Sequence, residues 1–432
     1  MEREIQNFEA LATTDLRRDA LAIAEAGYAA IDVSAALERD LRIENDELRV
    51  GEKVYALADR RIFFIGVGKC AFAASGAIER ILDGRLTAGI ALDVSPIEGA
   101  APTKIETYVG SHPLPSEVNE NATKRIVELL AGCRESDLVI MLISGGGSTL
   151  LCLHKAAMTC FDESTLFEEL TAKGAPIRDI NIVRKHISEM RGGGLARAAY
   201  PAEVLSLIVS DVPGNDIHTI ASGATMLDTS TVSDAREVLE QYGITAAGNI
   251  EFMETPKEPK YFERVTNLLF LSSADALTAM QSEAEKRGYA ATIADDHFDG
   301  EAHDTARAIV EKLHDAPAKS VLLYAGESTV TLPAHHGAGG RNQEMALAVL
   351  ESIRDDELFL PFASDGHDNT DHAGAIADAT TREHTLSQHL SSTEYLEGHR
   401  AYDFFTSTGD ALTTGYTGSN VSDLIIAIKN NA

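Results

Sequence analysis

The sequence predicts an α/β protein of two domains, with parallel sheets covered by helices on both faces. Three observations carry that prediction. Short apolar strands alternate with amphipathic helices along most of the 432 residues, as crossover connections require. A chain of this length exceeds one ordinary core. Four loops with glycine-rich or charged chemistry, at Lys69, Ser144, Asp211 and Asp365, each directly follow a predicted strand, where ligands of open α/β sheets sit.

Taken in order, residues 7–39 show helical periodicity in two stretches, with a break near Gly27 or Asp32. Residues 61–66 (RIFFIG) read as a strand, followed by Val67-Gly68-Lys69 and an alanine-rich helix over 70–82. Strands follow at 90–94 and 107–110, and Ser116 is placed to cap a helix over 117–131. The apolar run 138–143 is a buried strand ending in Ser144-Gly145-Gly146-Gly147-Ser148, with a helix opening at 149–153. A helix is expected over 163–173, closed by Gly174, and a strand at 204–209 leads into Ser210-Asp211. Ser233 is the expected cap of a helix closed by Gly243. Residues 251–261 are polar and proline-bearing, and are expected to link the domains. Beyond them strands are predicted at 267–271, 290–294, 321–324, 328–332, 358–363 and 424–428, with helices over 274–287, 302–313 and 345–353. The domains are therefore expected at 1–255 and 265–432.

Composition narrows the function classes. Hydrophobic residues make up 44% and charged residues 24%, as in soluble globular proteins. No apolar run reaches the about 18 residues of a membrane helix, and the charged N-terminus lacks a signal-peptide core. Cys70, Cys133, Cys152 and Cys160 show no CxxC and no metal-ligand spacing. Reduced, partly buried thiols in a cytoplasmic protein are expected. A net charge of −30 argues against a nucleic-acid partner. It also means that a site for an anionic substrate must hold its own cations.

Those cations stand beside glycines. The Ser144–Ser148 loop can gather backbone N–H groups around a phosphate, its glycines admitting close approach. It is neither a GxGxxG fingerprint nor a GxxxxGK[ST] loop. Lys69 offers a point charge for phosphate or carboxylate. Arg341, at a helix head after Gly339-Gly340, can clasp an anion in bidentate fashion, the alternative being a surface pair with Glu344. Asp211, Asp216, Asp365 and Asp368 could orient a hydroxyl or hold Mg²⁺ with its waters, against plain capping and turn duty. Glu327 is placed to line a pocket. His112, His186, His367 and His372 show no metal spacing, and Ser144 and Ser148 lack the GxSxG context of a nucleophile.

With those residues in view, the chain resembles the glycerate 2-kinase family, the two-domain proteins with a MOFRL-type C-terminal domain. The likeness runs through IGVGKCA (65–71), GSHPLPSE (110–117), DLVIMLISGGGSTLL (137–151), INIVRKHISEMRGGGLA (180–196), SDVPGNDIHTIASGAT (210–225), AGESTVTL (325–332), GGRNQEMALA (339–348), SDGHDNTDHAGAIAD (364–378) and TGSNVSDL (417–424). The resemblance implies a Rossmann-like N-terminal domain, a smaller α/β C-terminal domain and an active-site cleft between them. It implies transfer of the γ-phosphoryl group of ATP to the 2-hydroxyl of D-glycerate, with Mg²⁺. Lys69 and Arg341 match the family's two catalytic basic residues, with Asp211 and Asp365 as catalytic acidic positions and tentative Mg²⁺ holders through water. Ser144, Gly145, Gly146, Gly147, Ser148 and Asn342 are expected to bind nucleotide phosphate, and Arg191, Glu327 and Asp368 the substrate. The expected partners are ATP and glycerate, with a homodimer allowed and neither nucleic acid nor a membrane. Two departures touch the site: Arg191 and Gly194 replace the Lys and Arg of a KGGRL segment, and Asn215, His218 and Tyr416 alter neighbouring loops. The rival readings are a hydroxypyruvate reductase, which would need a dinucleotide fingerprint, and a non-catalytic nucleotide or metabolite sensor on the same scaffold.

Overall fold

The computed structural model describes residues 3–96, 101–155, 158–244 and 250–430. The chain divides into two compact units. A parallel-sheet unit takes residues 33–210 and 215–270, and a mixed-sheet unit takes Met1–Asp32, Asp211–Gly214 and Leu271–Ala432. No single helix among the described residues is long and apolar enough to cross a membrane.

In the parallel-sheet unit, β1 (Leu41–Glu44), β2 (Glu47–Val50) and β3 (Lys53–Ala56) form a small antiparallel sheet that the apolar periodicity did not predict. The main sheet holds β4 (Ile62–Val67), β5 (Leu86–Asp93), β6 (Ile105–Val109), β7 (Leu138–Ile143), β8 (Glu203–Val209) and β9 (Val265–Leu271), in the order β6-β5-β4-β7-β8-β9. From β6 to β8 all neighbours are parallel. Every residue of β4 and β7 is buried, which explains why both read as continuous apolar runs and not as alternation. The chain works outward from β4 through β5 and β6, then returns to start again at β7. This is the doubly wound order, and its switch point lies between β4 and β7.

The mixed-sheet unit is built differently. Its strands are β10 (Ala290–Phe298), β11 (Ser320–Gly326), β12 (Glu357–Ala363), β13 (Gly374–Ala375), β14 (Ala377–Asp378), β15 (Ala411–Leu412) and β16 (Asp423–Lys429). They run in the order β10-β11-β16-β12-β13-β15, with β14 beside β12. Only β10 and β11 are parallel, and β16 inserts antiparallel between β11 and β12. The expectation of parallel sheets throughout therefore holds in one unit alone. Phe359, Phe404, Phe405, Met345 and Ile425 centre the core.

The compact units are drawn differently from the expected cut into 1–255 and 265–432. Met1–Asp32 groups with the mixed-sheet unit, because helix Asp15–Ile31 is built into it. Arg17, 1% exposed, pairs with Asp378 and Asp410. A Cβ on Gly27 would stand 2.8 Å from Met280 Sδ, so that helix lies against Ser273–Lys286 without room for a side chain. The helix break falls at Asp32. Residues 251–261 are no loose linker: the Met253 amide donates to His186 O (2.8 Å), and Lys257 Nζ donates to Asp228 O and Ser230 O. Three local expectations also change. Residues 328–332 make only an isolated bridge, Glu301 to Thr329. The helix Val232–Gln241 is capped by Thr231, in a box with Asp234, and not by Ser233. The helix after the glycine loop is a single turn, Gly147–Leu150.

Candidate functional site

Lys69 and the glycine turn meet at the switch point. They follow β4 and β7, and these strands pair in register from Ile62 opposite Leu138 to Val67 opposite Ile143. The Ser144 amide donates to Val67 O (2.9 Å), the Lys69 amide to Gly145 O (3.0 Å) and the Cys70 amide to Ser144 Oγ (3.1 Å). The two loops are pressed so closely that a Cβ on Gly68, at φ +118°, would stand 2.2 Å from Ser144 Oγ and 2.6 Å from Ser144 O. Gly146 takes the left-handed conformation, φ 81°, and a Cβ there would meet His112 Cδ2 at 3.5 Å and Lys69 Cγ at 3.7 Å. Lys69, His112 and Gly146 thus share one place. The sequence gives His112 no role, since a lone histidine in a proline-rich loop carries no spacing signal. Beyond the turn, Ser148 Oγ lies 2.8 Å from Ser222 Oγ, which donates to Asn181 Oδ1. Ser222 and Ala221 hold positive φ, 53° and 48°, a conformation non-glycine residues rarely adopt.

The turn after β4 reads Gly66-x-Gly68-x-x-Ala71, the alanine form of the dinucleotide fingerprint. Asp93 ends the neighbouring strand β5, where a ribose-binding carboxylate would stand. With alanine and not glycine at its last position, the match escapes a search for GxGxxG. The amides that would hold a pyrophosphate are taken, however: the Cys70 amide by Ser144 Oγ and the Phe72 amide by Asp93 Oδ2 (2.9 Å). Asp93 itself is 1% exposed and also accepts from the Val94 amide.

Arg191 is not presented to a substrate. Its side chain is fully buried, and Nη2 lies 2.8 Å from Glu163 Oε1 and donates to Glu163 Oε2 (3.1 Å). His154 Nε2 stands 2.7 Å from Glu163 Oε2. Although burial disfavours its charge, the Arg191 guanidinium, with His154 and Arg184, holds the Glu163 carboxyl down to about 2. Gly194 follows on the same turn, and a Cβ there would stand 2.1 Å from Glu189 O. This turn has no room for the arginine expected of the family. The expectation of four reduced thiols is also corrected: Cys152 and Cys160 are joined as a disulfide, while Cys70 and Cys133 are buried and outside it.

The mixed-sheet unit assembles the other candidates. Arg341 opens helix Arg341–Val349, and its expected surface partner Glu344 instead bonds His303 and His399. The Arg341 guanidinium donates from Nε and Nη2 to the two carboxyl oxygens of Asp423 and from Nη1 to Glu327 Oε1. Glu327 therefore touches Arg341 before it could touch a ligand. Asp423, the first residue of β16, is 2% exposed. Burial pushes its carboxyl up to about 7 against the downward pull of Arg341. Asp423 is next to last in the TGSNVSDL run, and only the return of β16 beside β11 shows what it holds.

Asp368 caps the head of helix Arg341–Val349. Its carboxylate accepts from the amides of Asn342 (3.1 Å) and Gln343 (2.8 Å) and from both of their side chains, as a carboxylate at a helix N-terminus should. Asn342, fully buried against it, presents nothing to a phosphate. A Cβ on Gly340 would stand 2.0 Å from Asp368 O, which accounts for the glycine before Arg341. Asp365 Oδ1 accepts from the His367 amide in an Asx turn (3.1 Å). Asp211 Oδ2 accepts from Asn420 Nδ2 (2.9 Å), and its carbonyl from Ser422 Oγ (2.6 Å). Asp216 bonds the His218 amide nearby in sequence.

Two family models match the chain: a domain of unknown function, DUF4147, over residues 19–253, and the MOFRL family over residues 320–423. Glycerate 2-kinase of Pyrococcus horikoshii is 33% identical, over 96% of this chain and 97% of its own length. D-glycerate 2-kinase of Thermotoga maritima is also 33% identical, over 85% of this chain and 90% of its own. The crystal structure of glycerate kinase from Thermotoga maritima superposes with a TM-score of 0.84 at 30% identity, covering 96% of this chain and 99% of that one. By fold, by both matched regions and by these full-length relatives, the chain belongs to the glycerate 2-kinase family.

Proposed function

We propose that the protein is an ATP-dependent kinase that transfers the γ-phosphoryl group to the 2-hydroxyl of D-glycerate, giving 2-phosphoglycerate and ADP. The observation that carries this reading is the union of Lys69 with the Ser144–Ser148 turn at the switch point of a doubly wound sheet. Among the described residues the Gly145 and Gly146 amides make no hydrogen bond, so they can receive phosphate oxygens. Lys69 beside them neutralises charge on the transferring group. In the mixed-sheet unit, Arg341 supplies a guanidinium suited to a carboxylate and Asp211 a carboxylate suited to a hydroxyl. Phosphoryl transfer asks mainly for such positioning and charge, with little covalent work from the protein.

Mg²⁺ fits the chain by donor chemistry. Asp211 and Asp365 are oxygen donors fixed on their loops by Asn420 and by the His367 amide. A hard cation that takes one or two carboxylates and completes its shell with water and phosphate suits them. When bound, the ion would offset phosphate charge. The reductase reading finds its fingerprint, but the amides it needs are occupied.

Purified protein incubated with ATP, Mg²⁺ and D-glycerate should yield ADP and 2-phosphoglycerate. Formation of 3-phosphoglycerate, oxidation of NAD(P)H with hydroxypyruvate, or binding without turnover would each reject the reading. Lys69→Ala should lower kcat by about 10³-fold, the order lost with one preorganised charge donor, with unchanged circular dichroism. Near-normal turnover in that folded variant would remove Lys69 from the mechanism.

A further inference from the structure

Three soft donor atoms converge just past the glycine turn. Helix Gly147–Leu150 ends, Cys152 follows wholly buried, and Cys160 opens helix Cys160–Ala172. Cys152 Sγ, His154 Nδ1 and Cys160 Sγ all lie within 4.8 Å of one another, with 3.9 Å from Cys152 Sγ to His154 Nδ1. The two sulfurs form a disulfide. Beside the disulfide stand a histidine with Nδ1 toward Cys152 Sγ and a carboxylate behind that histidine. His154 Nε2 is 2.7 Å from Glu163 Oε2, and Glu163 is anchored in turn by Arg191. Toward an ionised Glu163 the Nε2 N–H donates, so that the neutral tautomer of the ring carries its lone pair on Nδ1, the atom facing the sulfurs. Metal-ligating histidines are held in this way, through a carboxylate on the opposite nitrogen.

We propose that the reduced chain binds one thiophilic divalent cation of the zinc class through Cys152, His154 and Cys160, the disulfide being the oxidised form of the same donor set. A thiol or phosphine reductant supplies two electrons, and two protons from water complete the pair of thiols. Binding the cation then forms two metal–sulfur bonds and releases one proton from each thiol. Thiolate and imidazole donors select zinc-like ions over Mg²⁺, so this site is chemically separate from the ion of phosphoryl transfer. Its effect is to tie the segment after the glycine turn to helix Cys160–Ala172 whenever the thiols are reduced.

The test uses the full chain, reduced with a phosphine, stripped with a chelator, and titrated anaerobically with Co²⁺. One Co²⁺ per chain should bind with thiolate-to-cobalt charge-transfer absorption, be displaced by Zn²⁺, and raise the thermal unfolding midpoint. Cys152→Ser and Cys160→Ser should each lose that absorption, whereas Cys70→Ser and Cys133→Ser should keep it. Glu163→Gln should weaken binding by about 10- to 100-fold. Reduced wild-type protein with four titratable thiols and no charge-transfer band would overturn the proposal, as would a band that survives in both Cys152→Ser and Cys160→Ser. If a serine variant fails to fold, the wild-type band and stoichiometry still decide.

Discussion

Two buried arginine–carboxylate pairs, one in each unit, show how the same chemistry serves opposite ends. Glu163 and Arg191 in the parallel-sheet unit are both sealed, at 1% and 0% side-chain exposure, with Arg184 and His154 adding to the carboxylate's support. Asp423 in the mixed-sheet unit is as deeply buried, but its Arg341 is 30% exposed and shared with the exposed Glu327. Accordingly the Glu163 carboxyl is held near 2 and the Asp423 carboxyl is pushed up to about 7. Surplus cationic partners lock a buried carboxylate in its charged form, whereas a single shared arginine leaves it poised near neutrality. The first pair holds a turn in shape. The second holds a guanidinium that still reaches solvent.

Removing the arginines should separate the two pairs most sharply. Arg341→Ala is expected to cut kcat/KM for glycerate by about 10³-fold. The urea midpoint should barely move, because Asp423 can take up a proton once its partner is gone. Arg191→Met should do the reverse. It leaves Glu163 buried with less support, costing about 3–5 kcal/mol of stability, with little change in kcat among the molecules that remain folded. Equal effects of the two substitutions on activity would erase the distinction.

The pH dependence of stability should carry opposite signs. Glu163 has a folded value of about 2 against the ordinary 4.5, so its contribution is complete above 4.5 and is lost as pH falls toward 2. Asp423 has a folded value of about 7 against 3.8. Its protonated form favours the fold below 3.8, and that contribution fades as pH rises to 7. The Glu163 limb should amount to about 3 kcal/mol and the Asp423 limb to about 4 kcal/mol, since a tenfold change in proton affinity is worth about 1.4 kcal/mol. Unfolding midpoints across pH 2–8 should lose the acid limb in Glu163→Gln and the limb between about 4 and 7 in Asp423→Asn. The smallest effect is expected of Glu327→Gln, which frees one edge of Arg341 and should lower the KM for glycerate by about threefold, the scale of a surface ion pair. An unchanged or raised KM would show that Glu327 does not compete for that edge.

Much of the fold was legible because its signals are local. The helix at Glu117–Ala131 and the strand at Leu138–Ile143 fall where periodicity placed them. The glycines of the Ser144–Ser148 turn and Lys69 announced the switch-point loops by composition alone. Less legible were roles that depend on a partner far along the chain. Asp368 looks like any loop aspartate until the amides of Asn342 and Gln343 point at it. Arg191 was expected at the substrate by resemblance, but Glu163 had already claimed it. Cys152, His154 and Cys160 show no standard spacing, because folding and not sequence interval brings the three together.

By itself the amino-acid sequence determined the alternation of strands and helices, the loops at which chemistry would collect and, through its motifs, the family. These follow from residue-by-residue preferences and from short runs whose conformation is set within a few positions. Only the tertiary structure decided that Met1–Asp32 belongs with the mixed-sheet unit, that β16 runs antiparallel between β11 and β12, and which arginine is sealed and which still reaches solvent. Burial and ion pairing depend on which distant segments desolvate a group, and that is settled only when the whole chain has packed.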